Sequence, residues 1–69
     1  MARVTNNLKR LIEEKGMNQK EFAKKADIRE ATVSAMCKNE IKRIPLDVLE
    51  SIVDVLEIED MNKLFNIEA

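Results

Sequence analysis

Histidine, tryptophan and tyrosine are absent from this sequence of 69 residues, and glycine, proline and cysteine occur once each. Each scarcity excludes something. A lone cysteine forms no intramolecular disulfide, and without histidine the common zinc-ligand sets cannot be assembled, so no metal site is expected. Acid–base and nucleophilic catalysis lose their usual participants for the same reason. No glycine-rich phosphate loop is present and no carboxylate pair shares an obvious pocket, so neither enzymatic activity nor a cofactor or small-molecule substrate is expected. Asn-Gly and Asp-Gly turns are missing, which points to an all-α chain. No apolar run approaches the roughly 20 residues that cross a membrane. The opening Met1-Ala2-Arg3-Val4-Thr5 lacks the apolar stretch of a secretion signal, and the expected location is cytoplasmic. Phe22 and Phe65 are the only aromatics, so Leu, Ile, Val, Ala and Met must build the core.

What is abundant is charge, and it is unevenly spread. The net charge is −1, a value that by itself argues against a nucleic-acid partner. Through Pro45, however, eleven Lys and Arg stand against six acids, and from Leu46 onward one stands against seven. A net +5 half is thus joined to a net −6 half. Such polarity suits a protein that offers one face to a polyanion and turns the other away, although ordinary solvated helix faces would also look this way.

The chain length allows one domain, spanning residues 1–69. Apolar spacing predicts five helices within it. The first runs from Thr5 to Lys15, with Leu8, Leu11 and Ile12 as its stripe, and Gly16 follows where a left-handed cap is expected. The second opens at Asn18, with Glu21 three residues later completing a capping box, and buries Phe22, Ala23 and Ala26. Asp27-Ile28 interrupts it. The third spans Arg29 or Glu30 to Cys37 and buries Val33 and Met36. Pro45 opens the fourth, which carries Leu49, Ile52, Val53 and Leu56 on one side and Glu50, Asp54 and Glu57 on the other. The last, Asp60 to Phe65, presents Met61, Leu64 and Phe65.

The second and third helices are joined too tightly to run antiparallel and must cross steeply. Ala23 and Ala26 are small enough for the close approach, and Ile28 plugs the turn. With Val33 and Met36 facing inward, Glu30, Ala31, Ser34, Ala35 and Lys38 point outward. A protruding second helix with a free outer face is what enters a major groove.

Here the sequence resembles the Cro/lambda-repressor-type (Xre-like) helix-turn-helix family. The resemblance rests on Gln19-Lys20-Glu21-Phe22-Ala23, Ala26, Ile28 and Thr32-Val33-Ser34. Downstream it continues through Ile41-Lys42-Arg43-Ile44 and Leu49, Ile52 and Leu56, so that it covers nearly the whole chain. It implies a single five-helix lambda-repressor-like domain with the helix-turn-helix at helices 2 and 3. The implied function is that of a sequence-specific transcriptional regulator, a repressor, of a kind also carried by phages and mobile elements. By position, Gln19 would touch a phosphate and brace the recognition helix. Arg29, Glu30, Ala31, Ser34 and Ala35 would face bases or the nearest phosphates, and Thr32 would bond the DNA backbone. Lys38, Lys42 and Arg43 would hold the flanking phosphates.

The chain departs from the family pattern at three points. Asp27 stands where the turn usually has glycine, Arg29 replaces the usual Ser/Thr cap, and Asn39 replaces the loop glycine. Cys37, one step from the core face, reads as a small half-buried apolar residue. Met61, Leu64 and Phe65 either close the core or form a dimer contact, and a homodimer would read a palindromic operator. An alternative function is a protein-interaction module, antitoxin-like or an anti-repressor partner, that uses the same scaffold without DNA.

Overall fold

The computed structural model of the chain describes residues 2–68. Four α-helices, α1 (Leu8–Glu14), α2 (Gln19–Ala26), α3 (Glu30–Cys37) and α4 (Leu46–Leu56), are framed by two short strands, β1 (Arg3–Asn6) and β2 (Phe65–Glu68). A single 3₁₀ turn, Met61–Lys63, leads into β2. The fold is mostly helical, but the expected five α-helices are corrected to four. Thr5 and Asn6 belong to β1, and the stretch expected as a helix from Asp60 to Phe65 is a 3₁₀ turn, Leu64 and the start of β2.

The reason is visible in the residues. The apolar stripe of α1 begins only at Leu8, and before it Val4 and Thr5 are β-branched and better suited to a strand. The strands pair antiparallel with Val4 opposite Ile67 and Asn6 opposite Phe65, so the sheet ties the two ends of the chain together. Because the whole domain serves as the connection, no hairpin turn was needed. Among the described residues, no helix is long and apolar enough to cross a membrane.

The core takes one or more side chains from every helix: Leu8 and Ile12 from α1, Phe22, Ala23 and Ala26 from α2, Val33 and Met36 from α3, and Ile52 and Leu56 from α4. Leu64 closes it and is fully buried, which makes it a core residue and removes it from any surface contact. Within this core α3 packs on α2 and α1, and α4 packs on α2.

All four helices stop in the same way. Gly16, Asp27, Asn39 and Glu57 each take a left-handed conformation, with φ between 54° and 73°. In each case the next amide reaches back five residues: Met17 to Ile12 at 3.1 Å, Ile28 to Ala23 at 2.9 Å, Glu40 to Ala35 at 2.9 Å and Ile58 to Val53 at 3.0 Å. These are Schellman caps, and in three of them the following residue, Met17, Ile28 or Ile58, packs against the core. Only one of the four left-handed positions is glycine. Asp and Asn tolerate this region through local hydrogen bonding, but Glu57 has no such relief.

Glu57→Gly is therefore expected to stabilise the protein by about 0.5–1 kcal/mol, the relieved strain exceeding the entropy that glycine adds to the unfolded chain. A thermal midpoint raised by about 2–8 °C in circular dichroism would agree. An unchanged or lowered midpoint would show that Glu57 carries no strain.

Candidate nucleic-acid interface

Asn18 sets the start of α2. Its side chain accepts from the Glu21 amide at 2.8 Å and the Glu21 carboxylate accepts from the Asn18 amide at 3.3 Å, the reciprocal capping box expected from the sequence. The Asn18 cap brings Gln19 to the first helical position, half-buried, where it lines a cleft of about 420 Å³ between α1 and α2. Lys9 and Lys20 line the same cleft. Neither lysine was singled out from the sequence. Lys20 could have been noticed beside Gln19, whereas Lys9 reaches the cleft only through the packing of α1.

Between α2 and α3, Asp27 makes the left-handed bend with φ 56°. Ile28, half-buried, then anchors the turn while Arg29 is extended and exposed. The bend at Asp27 fixes the outer face of α3. Val33 and Met36 are buried, Glu30 and Ala31 are exposed, and Thr32, Ser34 and Ala35 are half-exposed. Arg29 stands at the N-cap and offers no acceptor, so no side chain caps the first turn of α3. Lys38 is exposed at the other end. The recognition-type helix thus has a cation at each end and a small, nearly uncharged face between them.

Beyond α3, the loop carrying Lys42 and Arg43 is tied back to β1 by one side chain. The Asn6 amide donates to Asn39 Oδ1 at 2.8 Å, and Asn6 Nδ2 donates to the same oxygen at 3.0 Å and to the Met36 carbonyl at 2.9 Å. Asn6 Oδ1 in turn accepts from the amide of Leu8, the first residue of α1, at 3.0 Å. One asparagine therefore joins the sheet, the start of α1 and the end of α3. Its part in the site is not legible in the sequence, because its partners lie some 30 residues away.

Lys42 and Arg43 are both exposed. Among the described residues the one ion pair is Arg10 with Glu14 at 3.9 Å, an exposed contact worth little. The cations around α2, α3 and the following loop make no ion pair among the described residues. From Gln19 to Arg43 seven Lys and Arg outnumber the four acids Glu21, Asp27, Glu30 and Glu40, so the net field of this stretch is positive.

A family model for the Cro/C1-type helix-turn-helix DNA-binding domain matches residues 7–68. The chain belongs to that family. Comparisons with curated proteins and with solved structures returned no match. The family is one of DNA-binding domains, and the helix-turn-helix of this member is α2 and α3, with Asp27 serving where the resemblance leads one to expect glycine.

Cys37 is half-buried at the end of α3, and burial raises its thiol pKa, with the nearby Lys9 partly opposing the shift and Glu13 adding to it. At pH 7 a raised pKa means a smaller thiolate fraction than in an ordinary cysteine. Alkylation of native protein should therefore be slower than that of a free thiol, with the rate continuing to climb at more alkaline pH; equal rates at pH 7 would contradict the assignment. Asn6→Ala should lower the stability to urea by about 2–3 kcal/mol, since three side-chain hydrogen bonds go at once. Asn39→Gly keeps the left-handed bend and loses only the acceptor, and about 1 kcal/mol is expected. Two variants with wild-type stability would mean that the asparagine junction holds nothing in place.

Proposed function

We propose that this protein is a cytoplasmic transcriptional repressor that inserts α3 into the major groove of an operator and blocks access by occupying it. The observation that carries this reading is the excess of cations free of close ion pairs around the partly exposed α3 in a chain of the Cro/C1-type family. Arg29 is the residue best suited to read a base, because its fork matches the two acceptors of guanine. Glu30 can accept from a cytosine amino group. Ala31 and Ala35 let the helix approach closely and contact thymine methyls, with Ser34 able to bond either base edge. Gln19, Thr32, Lys38, Lys42 and Arg43 would hold phosphates and fix the register. Lys9 and Lys20, beside Gln19, extend that phosphate track.

The operator is proposed to be palindromic and the protein to bind it as a homodimer. Phe65 remains a candidate for that contact, while Leu64 is committed to the core and Met61 lines a groove along α4. The paired strands add a second support, since Val4 and Ile67, opposite each other, are 63% and 80% exposed. An uncovered strand pair with apolar side chains favours association with another copy.

The test is a titration of labelled duplex DNA at several salt concentrations. Five phosphate-holding cations per protomer (Lys9, Lys20, Lys38, Lys42 and Arg43) would give a log–log slope of about −4 to −5 for each bound protomer. Lys42→Ala should weaken binding to all sequences alike and reduce the slope by about one. Arg29→Ala should instead change the preferred sequence, with about 1–3 kcal/mol of discrimination lost at one base pair. Affinity indifferent to salt would overturn DNA binding and leave the protein-interaction reading. An intact sequence preference in Arg29→Ala would remove Arg29 from the reading face.

A further inference from the structure

Away from the cationic half, an apolar groove of about 350 Å³ runs along α4 and is lined by Leu46, Leu49, Val53 and Met61 with Glu50 and Asp54. Leu46 is 70% exposed and Met61 41%. Leu46 follows Pro45 at the first helical position, where any polar residue would serve the helix equally well. Leu49 and Val53 lie one turn apart on the same face and are only half-buried. Leu49 also packs against the core, but Leu46, Val53 and Met61 are not among the side chains that do, and a contiguous apolar strip with a polar rim marks a surface for a partner.

The rim defines that partner. From Ile44 to Asn62 the chain has six acids, Asp47, Glu50, Asp54, Glu57, Glu59 and Asp60, and no Lys or Arg. We propose that the α4 groove docks an amphipathic helix of another protein, one whose apolar ridge is flanked by lysine and arginine. A ridge read at i, i+3 and i+4 fits a strip that extends from Leu46 to Val53, about 10 Å along the helix. A two-fold pairing of the groove with itself would set Glu50 and Asp54 against their own copies, and like charges across an interface are unfavourable. DNA is repelled by the same acids, so the groove is not a second surface for it. Docking here does not require DNA binding, and either property can fail without the other.

The experiment uses the full chain, labelled with ¹⁵N, and two synthetic helical peptides with the same leucine spacing. In one the remaining positions are lysine, in the other glutamate. The lysine peptide is expected to move the amide signals of Leu46, Leu49, Val53 and Met61 saturably, and the glutamate peptide to leave them in place. The double variant Glu50→Lys/Asp54→Lys, at exposed positions that do not endanger folding, should weaken the lysine peptide roughly tenfold. Leu46→Ser, which alters no charge, should also weaken it. Four results would overturn the proposal. They are equal binding of the two peptides, shifts scattered over acids elsewhere such as Glu13 and Glu40, indifference to both variants, and self-association of the free chain through the groove.

Discussion

The left-handed bend at Asp27 is the constraint on which the rest of the molecule depends. It ends α2, turns the chain steeply and leaves only Ile28 and Arg29 before α3 begins. The steep crossing is possible because Ala23 and Ala26 bring no bulk to the contact, and it is held because Ile28 donates to Ala23 and packs against the core. With the angle set, Val33 and Met36 can be buried only in one way. The outer face of α3 is then Glu30, Ala31, Ser34 and Ala35, with cations at either end. A chain that left the bend at a different angle would expose a different set of side chains to a groove.

The helices at the centre of the fold were readable because their signals are local. The Asn18–Glu21 box, the spacing of Phe22, Ala23 and Ala26, and Pro45 followed by the α4 stripe each lie within a few residues, and each corresponds to an observed element. The ends of the chain were not readable in that way. β1 and β2 are short, and their pairing joins Arg3 to Glu68, a partnership with no turn between them to announce it. The absence of hairpin residues excludes local hairpins and nothing more. Asn6 illustrates the same limit: in sequence it is one of two adjacent asparagines, and in the structure it holds the end of α3, the following loop and the start of α1.

The candidate site was legible to a different depth at each residue. The inward and outward faces of α3 follow from its period, so Val33, Met36, Glu30 and Ala31 fall where the spacing puts them. The absent cap at Arg29 is also written in the sequence, since its side chain has no acceptor. Lys9 could not be found from the sequence, because it approaches Gln19 through packing between helices. The division of charge at Pro45 proved as informative as any motif. It separates a cationic half that contains α2 and α3 from an acidic α4 that carries a partly exposed apolar strip.

The central claim is that α3, presented by the Asp27 bend, reads a defined DNA sequence. Selection of bound duplexes from a random pool, using the unmodified chain, tests it most directly. The account predicts enrichment of a two-fold symmetric site whose half-sites are centred about 10 base pairs apart, each with a conserved guanine within reach of Arg29. A pool that remains random after repeated selection, or enriched sites without symmetry and without such a guanine, would contradict it.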